Sequence, residues 1–112
     1  MHMTRSASVA ENDLVLRVTG APASTPGRFY YGSVMTQTPF GNGFRCISGS
    51  VTRLPVAFTH SAGTTAHAFD SSAQLPQVNT GTSWHFQFWY RDSQGGGEQF
   101  NLSDALTIDY RP

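Results

Sequence analysis

The chain has 112 residues, enough for one domain that buries its own hydrophobic core. Charged residues make up only 12% of it and the formal net charge is zero, so it lacks the long-range positive field that attracts nucleic acids. All seven basic residues are Arg, and they are scattered singly along the sequence. We therefore expect no nucleic-acid partner.

Cysteine content and hydropathy exclude further classes of protein. Cys46 is the only cysteine, so neither an intramolecular disulfide nor a cysteine-based metal cluster is expected. No apolar run is long enough for a membrane span, and no secretory signal peptide is recognisable. The opening Met-His-Met is typical of a cloning remnant. We expect residues 1–10 to be a tag remnant and linker, frayed in solution, and residues 11–112 to form one module.

In the first two thirds of the chain, short apolar segments alternate with Gly- and Pro-rich stretches. This pattern predicts strands, not helices. Turns are predicted at Ala21–Gly27 and Thr36–Gly43, and Pro55 predicts that its strand is an edge strand or contains a bulge. The predicted strands are Leu14–Val18, Arg28–Gly32, Phe44–Ile47, Ser50–Phe58 and Thr64–Phe69.

The strongest pattern in the chain is strict alternation over Ser83–Asp92, which predicts one long strand. A polar loop, Ser71–Thr82, precedes it, and a turn over Asn101–Asp104 and a last strand, Ala105–Tyr110, follow. One side of the long strand is aromatic: Trp84, Phe86, Phe88 and Tyr90. The other side is mixed: His85, Gln87, Trp89 and Arg91.

No segment shows apolar residues at helical spacing over a helical length. Several short strands joined by turns, without a helical crossover, favour an all-β fold. We expect a single antiparallel β-sandwich of the jelly-roll or immunoglobulin-like type.

The mixed side of the long strand is the candidate ligand site. Sugars present apolar C–H faces and many hydroxyl groups, so a sugar site needs an aromatic platform with planar donors and acceptors. Trp89 supplies the ring, and Gln87, Arg91 and His85 supply the polar groups. Tyr30 or Tyr31 extends the platform if the two strands are neighbours, and we select Tyr31 as the candidate. The alternative is that Trp89 packs beneath a loop such as Ser71–Thr82.

A second candidate site is the acidic, Gly-rich segment after the long strand. Calcium prefers carboxylate and carbonyl oxygens, and such loops supply both. Asp92 and Asp104 are the candidate calcium ligands, although Asp and Asn also cap turns. No catalytic signature such as a nucleophile elbow is present, so we expect no enzyme activity and no obligatory cofactor.

Several sequence strings resemble one known module. They are GNGFRC at Gly41–Cys46, RLP at Arg53–Pro55, the strand Trp84–Asp92, and FNLSDAL at Phe100–Leu106. The chain from Leu14 to Pro112 is similar to C-terminal β-sandwich modules of uncharacterised secreted proteins from planctomycete-like bacteria. The resemblance implies an extracellular or cell-surface location within a larger parent protein, and implies no chemistry.

Two functions are compatible with these features. The first is a non-catalytic accessory module that binds polysaccharide or another extracellular glycan through the aromatic sheet face. The second is a structural, interaction or C-terminal sorting domain without a soluble ligand, associating through an edge strand for which Val51–Phe58 is the candidate.

Overall fold

A computed structural model describes residues 1–4, 7–8, 10–40, 43–48, 51–70, 81–92 and 100–112. These ranges contain β-strands and no helix, so the prediction of an all-β chain is confirmed for them. It follows that no helix in this part of the chain is suited to crossing a membrane. The strands are His2–Thr4 (β1), Val15–Val18 (β2), Pro26–Gly32 (β3), Val34–Phe40 (β4), Gly43–Ser48 (β5), Thr52–Phe58 (β6), Thr65–Ala68 (β7), Ser83–Arg91 (β8), Phe100–Leu102 (β9) and Leu106–Asp109 (β10).

The strands form three sheets in which every ladder is antiparallel. The small sheet has the order β1-β2-β7, and the large sheet has the order β10-β8-β3-β6. Strand β9 also pairs with β8, beyond the end of β10. The third sheet is the hairpin of β4 and β5.

The small and large sheets share one apolar core. The aromatic side of β8 lies in it, with Phe86 and Phe88 fully buried, so the predicted alternation is confirmed. Tyr31 contacts Trp84 edge-on, with ring centroids 5.4 Å apart, an arrangement that adds about 0.5–1.5 kcal/mol to the burial of the rings. Leu16 and Val18 cover this core from β2.

The hairpin of β4 and β5 extends the architecture beyond two packed sheets. It lies against β8 on the side opposite the shared core, where the Phe44 carbonyl oxygen and the Cys46 N–H bond to the Gln87 side chain. The described residues therefore form several antiparallel sheets, and the finer expectation of a single sandwich is not established by them.

Strand β6 is an edge strand of the large sheet, as Pro55 predicted. The register between β3 and β6 shifts between Arg28 and Tyr30, at the level of Pro55. Proline cannot donate a ladder hydrogen bond, so an edge or a bulge is where a strand tolerates it.

Two predicted turns are strands instead. Thr36–Gly43 was expected to be turn-rich, but residues up to Phe40 form β4, whose Pro39 is tolerated because β4 pairs only with β5. Within Asn101–Asp104, the first two residues belong to β9, and the chain leaves the ladder only after Leu102.

Two further expectations concern segments that the structure describes in part. The first four residues were expected to be frayed, yet β1 pairs with β2, and Met1 and Met3 pack against the core. Of the predicted loop Ser71–Thr82, residues 71–80 lie outside the described residues.

Candidate functional site

The register of the large sheet assembles one mixed surface on its outer face. Arg28 of β3 and Leu102 of β9 lie on either side of Trp89 in β8. Val56 of β6 lies beside Arg28, so one row of side chains crosses four strands. Arg91 follows Trp89 on the same side of β8, because alternate residues of a strand share a face.

An open groove of about 530 Å³ occupies this surface, and we call it the Trp89 groove. Its lining includes Arg28, Val56, Trp89, Arg91 and Phe100. A smaller cavity of about 40 Å³ is lined on one side by Trp89 and on others by side chains that include Arg45 and Arg53. Trp89 therefore separates two depressions that are both partly lined by arginine.

Trp89 is half-buried among rings and not covered by them. Its ring centroid lies 5.7 Å from that of Phe40 and 5.8 Å from that of Phe100, both at steep angles. Among the described residues no acceptor bonds to the Trp89 indole N–H. By contrast, the core residue Trp84 donates its indole N–H to the Thr82 hydroxyl at 3.1 Å. The second tryptophan is thus a fixed ring with an available donor.

The two arginines of the groove are similarly available. Arg28 is half-buried and Arg91 is exposed. Within the described part of the chain, neither guanidinium has a hydrogen-bond or ion-pair partner. Each guanidinium presents several N–H donors in a fixed planar fork that matches carboxylate, sulfate or paired hydroxyl groups.

Gln87 is fully buried and takes no part in the groove. Its Nε2 donates to the carbonyl oxygens of Phe44, at 2.9 Å, and Ser103, at 2.7 Å. Its Oε1 accepts from the Cys46 N–H at 3.1 Å and from the Tyr30 hydroxyl. Both donors and both acceptor positions of the amide are occupied. The prediction that Gln87 takes ligand hydroxyls is corrected: the side chain is a structural bridge.

Tyr31 is also removed from the predicted platform. It is fully buried in the core, on the face opposite Trp89, where its ring lies 5.4 Å from that of Phe69. Its neighbour Tyr30 does lie on the Trp89 face, but it is only 6% exposed and its hydroxyl is held by Gln87. Adjacent residues of a strand point to opposite faces, so only one of the two tyrosines can share the face of Trp89. The structure shows that it is Tyr30 and not the predicted Tyr31.

His85 shares the face of Trp89 but not its site. The covered Gln87 lies between them, and four residues of strand separate His85 from Trp89 by about 13 Å. His85 instead pairs with Thr107 of β10, with its Nδ1 2.8 Å from the threonine hydroxyl. Of the predicted ligand residues, the structure brings only Trp89 and Arg91 to the groove.

The predicted calcium ligands are not brought together. Ser103 hydrogen-bonds to Phe88, so Asp104 lies near the middle of β8, whereas Asp92 lies beyond its end. About five residues of strand therefore separate the two backbone positions, ~16 Å along β8. Asp104 accepts a hydrogen bond from the Met1 amino group at 2.6 Å. Within the described ranges, no group of three or more acidic, histidine or cysteine side chains is suited to a metal ion.

Sequence reasoning missed two residues that line the groove, Arg28 and Phe100, and one ring that packs on Trp89, Phe40. The register between β3 and β8 places Arg28 beside Trp89. The register between β9 and β8 places Phe100 near the same ring. Phe40 reaches it because the hairpin lies against β8. The alternation of a single strand carries no information on which residue of another strand becomes its neighbour.

Replacing Gln87 by Leu tests the structural bridge. The change leaves the buried Tyr30 hydroxyl and three part-buried backbone groups without their partner. An unsatisfied buried group costs about 1–3 kcal/mol, so we expect the free energy of unfolding to fall by at least ~2 kcal/mol. His85→Ala, on the same face of β8, is the control and should cost less than about 1 kcal/mol. Urea unfolding followed by circular dichroism measures both. Equal losses in the two variants would contradict the assigned bridge.

The pH dependence of stability tests the burial of Tyr30. Burial raises the pKa of Tyr30 from 10.0 to about 12, although the charge of Arg45 opposes this shift. The neutral phenol therefore stabilises the fold below a pH of about 10, and this contribution is lost as the pH rises through about 12.

Tyr30→Phe removes that titration along with one hydrogen bond. We expect the variant to be less stable near neutral pH but to lose less unfolding free energy between about pH 9 and about pH 11. Part of the alkaline loss should remain, because burial also raises the pKa of Tyr110. Urea unfolding at the two pH values measures the difference, and equal losses in parent and variant would contradict it.

Comparison with known proteins adds no relative from which a role can be taken. No protein-family model, curated protein or solved structure matches the chain. The arrangement of its own residues is therefore the basis for assigning a function.

Proposed function

We propose that the chain is a non-catalytic accessory module that binds polysaccharide or another extracellular glycan in the Trp89 groove. The observation that carries the proposal is the half-buried Trp89 ring, flanked by the guanidiniums of Arg28 and Arg91. Among the described residues, neither the Trp89 indole N–H nor either guanidinium has a hydrogen-bond partner. An aromatic ring can stack on the apolar C–H face of a sugar while planar donors bind its hydroxyl groups.

The fixed geometry of the groove favours binding without large rearrangement. Phe40 and Phe100 hold the Trp89 ring from two sides, so little side-chain entropy remains to be lost when a ligand stacks. Arg28 projects from β3, the strand between β8 and β6 in the large sheet. A binding residue on a strand inside the sheet is positioned more rigidly than one on a loop.

The groove also suits a polymer better than a small, enclosed ligand. It is an open depression across several strands and not a closed cavity. Pockets for small molecules surround most of the ligand surface. A bound polysaccharide chain, by contrast, must extend out of its site in both directions, which requires an open groove. We place the module, as a β-sandwich with an added hairpin, in a larger secreted protein that acts outside the cell or at its surface.

Replacing Trp89 by Ala tests the site. We expect the variant to lose at least about tenfold in affinity for a bound polysaccharide, because truncating a Trp that anchors a partner typically costs ~2 kcal/mol or more. Phe44→Ala is the matched control: Phe44 is 49% exposed on the hairpin and lines neither depression.

Affinity electrophoresis through gels containing soluble polysaccharides provides the measurement. Circular dichroism of each variant verifies that the fold is intact. Retardation of the parent and of Phe44→Ala, but not of Trp89→Ala, is the expected result. Absence of retardation by every polysaccharide, or equal retardation of all three proteins, would overturn the proposed function.

A second function is favoured by the exposed edge of the large sheet. Edge strand β6 carries Val56 and Phe58, which are 52% and 63% exposed. Large apolar side chains on an edge strand favour pairing with another chain. In this alternative the module is a structural, interaction or sorting domain without a soluble ligand.

Light scattering separates the alternative from glycan binding. If β6 mediates self-association, the chain is a dimer or larger at micromolar concentration, and Phe58→Arg returns it to a monomer because the new charge is desolvated at the contact. Thr107→Arg, at an exposed position of edge strand β10, is the control. A parent chain that is monomeric under these conditions contradicts association through β6.

A further inference from the structure

Arginine residues that are scattered in the sequence are gathered in the fold. Four of the seven line the two depressions that Trp89 separates: Arg28 and Arg91 the groove, and Arg45 and Arg53 the smaller cavity. Arg45 is held in place, since its Nε donates to the Ile47 carbonyl oxygen at 2.8 Å. The outer face of the large sheet is therefore cationic although the chain as a whole is neutral.

The acidic residues of the described ranges do not compensate this charge. None of them lines either depression. Asp104 pairs with the N-terminal amino group, and Asp109 accepts a hydrogen bond from Ser83 at 2.6 Å on the far part of β8. Asp92 follows Arg91 directly and is the acidic residue nearest the groove: burial, and then the charge of Asp92, raise the pKa of Tyr90, which is part of the groove lining. One carboxylate at the end of β8 stands against the four arginines of the two depressions. Glu98 lies outside the described residues.

The spacing of the groove arginines suits one ligand that touches the ring and both charges. Arg28 is the direct cross-strand neighbour of Trp89, a relation that separates Cβ atoms by about 4.5–5.5 Å. Arg91 lies two residues along the same strand, about 7 Å away. A sugar stacked on Trp89 would therefore have a guanidinium within reach on two sides.

We infer that the Trp89 groove selects an acidic polysaccharide, one whose sugars carry carboxylate or sulfate groups. The inference rests on the proposed function and specifies its ligand class. Guanidinium binds either group through paired, charge-assisted hydrogen bonds, which are roughly twice as strong as neutral ones. A neutral polysaccharide would leave both guanidiniums without an anionic partner. It would therefore bind to the same groove with lower affinity.

The same surface fits a nucleic acid less well. Proteins that hold single strands without sequence preference align several stacking rings along a continuous cationic channel. Here the rings of Phe40 and Phe100 meet Trp89 edge-on at steep angles, so the three do not form a series of parallel platforms. The fully buried Gln87 also ends the groove in the middle of the face.

Calorimetric titration with matched pairs of oligosaccharides tests the inference. Oligogalacturonate and its methyl ester differ in carboxylate charge and in one small methyl group per sugar, and dextran sulfate and dextran oligomers differ only in sulfate. We expect Kd to be at least about tenfold lower for the charged member of one or both pairs. Which pair shows the preference identifies the carboxylate or the sulfate as the recognised group. Added salt should raise Kd for the charged oligomers and leave Kd for the uncharged oligomers unchanged.

Charge-removing variants locate the effect. Arg28→Gln and Arg91→Gln should each raise Kd for the charged oligomer about tenfold and raise Kd for its uncharged partner by a clearly smaller factor, because the Gln amide can still bind a hydroxyl group. Arg17→Gln is the matched control, because Arg17 is exposed on β2 of the small sheet and the substitution changes the net charge equally. An equal effect of all three substitutions would overturn the inference in favour of non-specific charge attraction.

The remaining outcomes separate this inference from the proposed function. Equal Kd values for the charged and uncharged oligomers, both raised by Trp89→Ala, would overturn acidic selectivity and leave glycan binding supported. Tighter binding of single-stranded oligonucleotides than of any acidic oligosaccharide would overturn the assigned ligand class. Binding of no oligosaccharide would overturn both.

Discussion

Burial of a neutral amide governs how the sheets of this chain fit together. The Gln87 side chain has two donors and two acceptor positions, and in a dry environment each must find a partner. They find it in Tyr30 of the neighbouring strand, in the backbone of the hairpin strand β5, and in Ser103 after β9. Three elements that are distant in sequence are thus brought to one point on β8.

The interruption between β9 and β10 depends on the same region. Both strands pair with β8 on one edge, and Ser103 lies at the break between them. Its N–H donates to the Phe88 carbonyl oxygen at 2.8 Å, and its hydroxyl accepts from the Phe88 N–H at 2.9 Å. The side chain therefore replaces a backbone carbonyl in the ladder, which frees the Ser103 carbonyl oxygen for Gln87.

This arrangement divides the outer face of β8 into parts with different roles. The hairpin covers the middle of the strand at Gln87 and leaves His85 at one end and Trp89 with Arg91 at the other. The alternation of one strand thus supplies both the aromatic core and the ring of the groove. Burial of the core side stabilises the sheet, and that sheet in turn holds Trp89 and Arg28 as neighbours.

Local patterns predicted the strands well and the relations between strands poorly. The alternation of Ser83–Arg91 and the edge position indicated by Pro55 required only the geometry of a single strand, and the structure agrees with both. The predicted site failed at Gln87 and Tyr31 because burial depends on what covers a face. The Pro and Gly content of Thr36–Gly43 predicts a turn where most of β4 lies, so the sequence does not indicate that a hairpin covers β8.

The same limit applies to charge. Counting residues shows a neutral chain with isolated arginines, because composition contains no information on distance. Antiparallel pairing places Arg28 beside Trp89 although 61 positions separate them in the numbering (89 − 28). Net charge is a poor guide to local potential in a small all-β protein, where any one surface combines residues from several strands.

The position of the hairpin has a consequence for how such a chain can diversify. β4 and β5 pair only with each other, and six of the seven β4 side chains are exposed, so this unit can change in length with little effect on the aromatic core. Its reach along β8 sets where the open part of the face begins. A shorter hairpin would extend the open surface towards His85, provided that Gln87 were replaced by a residue suited to water. The length of the open surface is then set by a peripheral unit, while the residues that make the chain fold are left unaltered.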